Sequence, residues 1–176
     1  MRRAAAVSAL LLATLALAGC TGATPKSTAS PSPTSALNSL QPVVPKTLNA
    51  ATAKTATVNL ADSIDTLIAS TDVVYVDDHS QLVAATKSTP SYYGVLRTIT
   101  VSTSLDPLQQ AEAMEKILVE AGWKEDQTAT DKGKYLAALS SNIAAPARSW
   151  FLLLGGDSTV TKQPVVTVQL ASPDLP

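Results

Sequence analysis

The spacing of apolar residues divides the chain into three regions. Residues 4–18 are continuously apolar, residues 21–57 show little apolar periodicity, and from Val58 onward apolar residues recur at the spacings of helices and strands. A helix turns one face inward about every 3.6 residues and a strand every second residue, so the two spacings can be told apart. The pattern predicts one folded domain over residues 58–176.

The first amphipathic helix is predicted over residues 59–70. Asn59 stands at the N-cap position, and Asp62 follows three residues later as in a capping box. Four apolar side chains recur along one face at helical spacing: Leu60, Ile64, Leu67 and Ile68. This segment is therefore expected to give the core one apolar stripe.

The second helix is predicted over residues 106–121 and has clear signals at both ends. Asp106 is placed to cap it, Pro107 occupies the first turn where its missing N–H costs nothing, and Gly122 supplies a left-handed residue after the end. Trp123 is expected to pack against the last turn. The acidic residues of this helix are expected on its outer face, where they favour solubility: Glu112, Glu115 and Glu120.

Other segments have the alternation or the β-branched content of strands: 73–76, 92–102, 149–154 and 164–170. Residues 79–88 and 135–143 fit either a strand or a helix, and 124–134 fits a loop or a poor edge strand. Gly155 and Gly156 are expected to turn between the last two strands. The elements together predict an α+β fold with two layers, an antiparallel β-sheet with two helices packed on one face.

The beginning of the chain has the features of an export signal. Arg2 and Arg3 precede an uncharged run that ends at Ala18. That run has about fifteen residues, fewer than the roughly twenty that a membrane-spanning helix needs. A basic start, a short apolar core and small residues at its end are typical of a secretory signal peptide.

The residues that end this run, Leu17-Ala18-Gly19-Cys20, resemble the lipobox of bacterial lipoproteins. The resemblance implies cleavage between Gly19 and Cys20, a diacylglycerol on the Cys20 thiol, and fatty-acid (palmitate-type) acylation of the new amine. It implies a signal peptide over 1–19 and a chain anchored by lipid to the outer side of the cell membrane. The alternative is an ordinary secretory signal with an incidental cysteine. Cys20 is the only cysteine, so no disulfide can form within the chain.

Residues 20–57 are predicted to be a disordered tether that carries the lipidated cysteine. Prolines lie among Ser, Thr and Ala, and this composition buries too little apolar area to offset the entropy of ordering. Some 35 residues of such a chain reach about 35 Å on average. Lipobox, Ser/Thr/Pro stalk and small α+β domain together resemble small uncharacterised lipoproteins of actinobacteria, a resemblance that implies no activity.

Charge excludes some classes of partner. The chain has 13 basic and 14 acidic side chains, and without residues 1–19 the count is 11 against 14, a net charge of −3. No basic patch indicates nucleic acid, so none is expected as a partner. No second long apolar run is present after the signal.

Catalytic groups are few. His79 is the only histidine and follows Asp77 and Asp78, an arrangement that fits a solvated loop better than a metal site or an acid–base set. The chain has neither a Gly-x-Ser-x-Gly elbow nor a phosphate-binding P-loop. We therefore expect no cofactor, no metal and no recognisable catalytic site.

Aromatic residues give the remaining candidate for a binding surface. Trp123 and Trp150 are expected in the core. Of the adjacent strand residues Tyr92 and Tyr93, one must face outward, and Arg97 lies near on an otherwise apolar side. Tyr92, Tyr93 and Arg97 are therefore the candidate ligand or partner surface.

The leading hypothesis is a non-enzymatic binding module of the cell envelope, with an envelope protein or a cell-wall component as partner. An alternative is a small-ligand or lipid-binding protein with a pocket between the helices and the sheet, which an open cavity there would support and a filled core would not. A more remote alternative is a hydrolase that uses His79.

Overall fold

The structure, a computed structural model, describes residues 37–141, 148–160 and 162–176. These residues form a sheet of seven strands with two helices packed on one side, which confirms the predicted fold class. In chain order the elements are α1 (Ala50–Asp65), β1 (Val73–Asp78), β2 (Gln81–Val83), β3 (Tyr92–Val101), α2 (Pro107–Glu120), β4 (Trp123–Asp131), β5 (Lys134–Ser141), β6 (Phe151–Asp157) and β7 (Val165–Ala171).

The strands pair in the order β1-β3-β7-β6-β5-β4, and every neighbouring pair is antiparallel. β2 pairs with the first residues of β3, on the same side of β3 as β1. Thus β1 and β2 together form one edge of the sheet, and β4 forms the other.

One face of the sheet is covered by the two helices. Alternate residues of the inner strands are buried there, as the period-two pattern predicts. Helix α1 packs on β3 and β7, and α2 packs mainly on β5 and β6. The largest side chains enclosed between the layers include Trp150, Ile64, Ile99, Met114, Leu118, Leu139, Leu152 and Leu154.

The first helix begins nine residues before its predicted N-cap, so the assignment to Asn59 is wrong. Asn49 is the N-cap: its Oδ1 accepts from the N–H groups of Ala51 and Thr52, each at 3.0 Å. Thr52 Oγ1 in turn accepts from the Asn49 N–H at 3.0 Å, which completes a capping box. The first turns contain Ala and Thr, so they lack the large apolar residues by which helical periodicity is recognised.

The folded region therefore includes residues that were expected in the tether. Leu40 is buried, and its C=O accepts a hydrogen bond of 2.8 Å from Trp123 Nε1. Ala53 and Thr57 of α1 are also fully buried. The boundary predicted between residues 57 and 58 thus lies too late in the chain. Cys20, Gly19 and the rest of the predicted signal and tether up to residue 36 lie outside the described residues.

The second helix begins and ends as predicted. Asp106 Oδ1 accepts from the Leu108 N–H at 2.9 Å, and Pro107 is the first helical residue. Gly122 has a φ of +103°, the left-handed conformation expected after a helix end. Trp123 is buried beneath this end, as predicted, and Trp150 is buried in the core.

The open assignments resolve as strands. Of the segment 79–88, residues 81–83 form a strand. Residues 134–141 are a strand, so the helical alternative is wrong for 135–141, and 123–131 is an edge strand. Gly155 and Gly156 are not a turn but belong to β6. A Cβ at Gly156 would collide with the Pro107 carbonyl oxygen, so this glycine allows the start of α2 to approach the strand.

Candidate functional site

Arg97 does not lie on a surface but is buried beneath α1. Its side chain is 7% exposed and forms three ion pairs. Nη2 lies 2.7 Å from Asp62 Oδ1, Nη1 lies 2.6 Å from Asp65 Oδ2, and Nε lies 3.0 Å from Asp78 Oδ2. The guanidinium therefore ties the edge strand β1 and helix α1 to β3.

Within this cluster the charge of Arg97 is well compensated by its carboxylate partners, whereas that of the buried Asp65 is compensated less well. Burial opposes the charged form of Arg97, but the hydrogen bond with Asp62 and the charge of Asp65 outweigh it and raise the pKa of Arg97. Burial also raises the pKa of Asp65, although Arg97 opposes this, and Asp65 Oδ1 has no hydrogen-bond partner among the described residues. The positive charge that the three carboxylates surround is the Arg97 guanidinium, which stands where a metal ion would otherwise bind.

Tyr92 and Tyr93 lie on opposite faces of the sheet. Tyr93 is buried on the helix side, where Arg97 also lies, whereas Tyr92 is half-buried on the other side. The structure thus places the three predicted surface residues apart, and Tyr92 alone of them can contact a partner on the uncovered face.

His79 lies in the short connection between β1 and β2. Its side chain is 66% exposed, and Nε2 lies 3.0 Å from Asp77 Oδ2. Its backbone N–H donates to the Leu96 C=O at 2.9 Å. Asp78 instead accepts from Ser80 Oγ and from Arg97, and these bonds overcome the effect of burial and lower its pKa. Asp77 and His79 thus pair with each other, whereas Asp78 turns to Ser80 and Arg97.

A groove of about 610 Å³ separates α2 from the edge strand β4. Glu115 lines it but is itself only 6% exposed, so its expected position on the outer face of the helix is wrong. Tyr135 OH on β5 donates a hydrogen bond to Glu115, which satisfies the buried carboxylate. Glu112 remains exposed and pairs with Lys116 at 2.7 Å.

Burial makes Glu115 a weaker acid. Desolvation raises its pKa, the hydrogen bond from Tyr135 opposes the shift, and the neighbouring Glu125 on β4 reinforces it. Burial, together with the negative charge of Glu115, also raises the pKa of Tyr135. The hydrogen bond between Tyr135 and Glu115 joins strand β5 to helix α2, so we assign this pair a structural role.

On the side of the sheet opposite the helices, no helix or strand of the described residues covers the side chains. Strand register aligns them in rows across β3, β7, β6 and β5. One row, Thr100, Val165, Asp157 and Lys134, carries the Lys134–Asp157 ion pair. The three rows beside it are Gly94, Ala171, Phe151 and Ser140; then Leu96, Gln169, Leu153 and Ala138; then Thr98, Thr167, Gly155 and Leu136. We call these twelve residues the open face.

The twelve residues of the open face are uncharged, but charged residues border it on the same side of the sheet: Asp77 opposite Thr98, Lys124 opposite Ser140, and Lys134 with Asp157 in the next row. Only four of its residues carry a hydrogen-bonding group, and Leu96, Leu136 and Phe151 are 36%, 49% and 42% exposed. Shallow cavities of about 310 Å³ and about 170 Å³ lie over Gly155 and Gly94. Sequence alternation predicted one wet face, but the continuity of the uncharged rows depends on a register that sequence does not contain.

Other kinds of site find no support in the part of the chain that the structure describes. Within residues 37–141, 148–160 and 162–176 no three His, Cys, Asp or Glu side chains are arranged to hold a metal ion. None of the helices in these ranges combines the length and apolar character needed to cross a bilayer. Comparison with protein-family models gives no match, and comparison with curated proteins and with solved structures gives no significant one.

Proposed function

We propose that this chain is a lipid-anchored protein of the cell envelope, held through Cys20, whose domain is a non-enzymatic binding module. The observation that carries the binding role is the open face. A sheet face that only meets water normally carries charged and polar residues throughout, whereas three successive rows of this one hold twelve uncharged residues, with charged residues only at their borders. Uncharged exposed surface of this kind is typical of protein–protein contacts.

The partner on the open face is a protein rather than a wall polysaccharide. Sugar polymers offer mainly hydroxyl groups, and most of the open face has no donor or acceptor to meet them. Leucine and phenylalanine side chains between glycine depressions suit an apolar protein surface instead. The alternative of a pocket between the helices and the sheet has less support, because large side chains fill that space.

The anchor is tested by replacing the proposed lipidated residue. Cys20→Ala should abolish labelling by an alkyne-bearing fatty acid in a bacterial host that processes lipoproteins, and should stop cleavage after Gly19. Thr21→Ala alters the neighbouring residue and should keep both. Mass spectrometry of the N-terminus and the label are the readouts. A Cys20→Ala chain that is processed and labelled like the parent contradicts the anchor.

The binding face is tested by photo-crosslinking in cells. A photoreactive phenylalanine replaces Leu96 on the open face or, as a control, Lys116, whose exposed side chain lies on the helix side. We expect a discrete protein adduct from position 96 and none from position 116. Equal adducts at both positions, or none at position 96, would remove the open face as the binding surface.

A further inference from the structure

β1, β2 and the two residues between them run along β3 in one common register. Asp78 pairs with Arg97 of β3 and Gln81 with Gly94, and the two residues between them match the two between their partners. The same register therefore runs from Tyr75 to Val83. We call these nine residues the free edge, because β3 is their sheet neighbour on one side and no described strand pairs with the other.

The backbone groups of the free edge that point outward can be identified. The His79 N–H donates to the Leu96 C=O, so residue 79 bonds to β3. Because inward and outward pairs alternate along an antiparallel strand, the backbone groups of Val76, Asp78, Ser80 and Leu82 point away from β3. The Ser80 N–H also helps to lower the pKa of the Asp78 carboxyl group, so we count only the outward N–H groups of Val76, Asp78 and Leu82 as available.

The two edges of the sheet differ in protection. β4 carries Lys124, Glu125, Asp126 and Asp131, and a register shift interrupts it after Glu125. Charges and bulges of this kind prevent edge-to-edge pairing. The free edge carries two carboxylates, Asp77 and Asp78, and has a register shift only before Tyr75; it leaves Tyr75 62%, Val76 39% and Leu82 52% exposed.

The sequence of the free edge reads alike in both directions. Apolar Tyr75 and Val76 begin it, apolar Leu82 and Val83 end it, and polar residues flank the central His79 on either side. An antiparallel pair of identical strands related by a twofold axis places each residue opposite its mirror position. A segment with mirror symmetry in polarity therefore matches a second copy of itself.

We propose that this free edge pairs with the free edge of a second copy, antiparallel and centred on His79, to form a homodimer with one continuous sheet. Val76 then lies opposite Leu82 of the other copy, and Tyr75 lies opposite its Val83. Asp77 lies opposite Gln81, and Asp78 opposite Ser80, so no carboxylates face each other. The three outward N–H groups of each copy meet outward carbonyls, giving about six hydrogen bonds.

Neighbouring registers fit less well. A shift of the twofold axis by one residue toward the N-terminus places Asp78 opposite the second Asp78, and like charges directly opposite destabilise a strand pair. A shift by one residue in the other direction places Asp78 opposite Leu82 and Asp77 opposite Val83. Pairing centred on His79 is the arrangement among these that matches apolar with apolar residues on both faces.

The helices do not obstruct this pairing. Strands in a sheet lie about 4.8 Å apart and α1 packs over β3 and β7, so the two copies of α1 would lie roughly 19 Å apart. This exceeds the 8–10 Å or so of two helices in contact. The twofold axis is perpendicular to the sheet, so both open faces lie on the same side of the dimer. Only described residues take part, so the pairing does not depend on the anchor.

Cysteine crosslinking in the full chain tests the pairing and its register. His79→Cys places one cysteine opposite its copy and should give a disulfide-linked dimer under mild oxidation. Asp77→Cys alone should not, because the two copies of residue 77 lie about 13 Å apart in this register, beyond the roughly 7 Å that a disulfide tolerates. Asp77→Cys mixed with Gln81→Cys should restore the crosslink. The parent chain, with Cys20 alone, is the background.

Val76→Pro tests the hydrogen bonds of the free edge. It removes an N–H that does not bond to β3, so proline is tolerated there and the melting temperature should change little. Because both copies of the dimer carry the substitution, two intermolecular hydrogen bonds are lost. The yield of the His79→Cys crosslink should therefore fall about tenfold. Leu82→Asp, which opposes Val76 with a charge, should lower the yield independently. Absence of the His79→Cys crosslink, equal crosslinks at positions 77 and 79, or a yield that neither substitution lowers overturns the proposal.

Discussion

At the scale of single residues, the buried acid Glu115 is the clearest case of a group whose environment sets its chemistry. Its carboxyl group is enclosed between α2 and β5, where Tyr135 supplies a hydrogen bond and Glu125 a repulsive charge. Because its pKa is raised, the folded chain binds this proton more tightly than the unfolded chain does. The stability that the proton gives is present at low pH and is lost as pH rises from about 4.5 through the raised value.

Glu115→Gln cannot lose a proton and should not show this loss. The free energy of unfolding of the variant, relative to the parent, should therefore be higher at about pH 7 than at about pH 4. Urea denaturation at the two pH values measures it. Glu112→Gln is the control, because it removes an exposed carboxylate from the same helix. The change in unfolding free energy between the two pH values should be larger for Glu115→Gln than for Glu112→Gln. A difference in stability that does not change with pH would contradict a raised pKa at Glu115.

Sequence patterns did not predict the roles of residues whose partners are distant along the chain. Trp123 and Trp150 were predicted in the core because local helix-ending and strand signals are strong, and both are buried. Arg97 and Glu115 were placed at the surface because charged residues are seldom buried without a partner. Their partners lie on other elements, 19 to 35 residues away. No spacing along the chain reveals these pairs.

At the scale of elements, adjacent glycines in β6 have opposite environments. Gly156 faces α2 and meets the backbone of Pro107 and Leu108, whereas Gly155 belongs to the open face. The sequence Gly-Gly-Asp resembles a turn, and only the approach of the helix explains why a strand contains it. The close contact sets the distance between α2 and the sheet.

Gly156→Ala should destabilise the fold by about 2 kcal/mol, because the added methyl group must displace the first turn of α2. Gly155→Ala is the matched control: its Cβ would meet Thr167 at 3.6 Å, an ordinary contact, and alanine should stabilise the strand by about 0.5 kcal/mol. Chemical denaturation of the two variants measures the difference. Similar stabilities of the two variants would show that α2 can move away from β6 at little cost in free energy.

Helices with strong terminal signals were predictable and helices without them were not. Asp106, Pro107 and Gly122 act through their own backbone geometry, so α2 was located closely from sequence. The first half of α1 contains Ala and Thr, and its burial depends on the sheet beneath it. Composition placed that half in the tether, since small residues are common both in linkers and in buried helices.

At the scale of the whole molecule, the order of the strands joins distant parts of the chain. β3 pairs with β7, although β4, β5 and β6 lie between them in sequence. Sequence patterns predicted the layers and the antiparallel sheet but not this order. The open face, the free edge and the proposals that rest on them therefore all follow from pairing that alternation cannot specify.

The limits of the folded region can be tested by truncation. A chain that starts at Leu37 should unfold cooperatively, and one that starts at Val58 should be less stable by at least about 3 kcal/mol, because it loses the buried Leu40 and half of α1. Thermal unfolding of both, followed by circular dichroism, compares them. Equal stability would show that residues 37–57 are not part of the folded domain and that the Trp123–Leu40 hydrogen bond does not stabilise it.

The contact between Leu40 and Trp123 has a mechanical consequence. If the chain is held at Cys20 as proposed, a pull toward the membrane acts through its N-terminal side. Within the described residues this pull first reaches the segment that Leu40 fixes at the end of α2. The small Leu40 contact can be peeled away before the cap of α1 at Asn49 is loaded. Under tension this segment would therefore extend first, while the sheet stays folded and the open face keeps its structure.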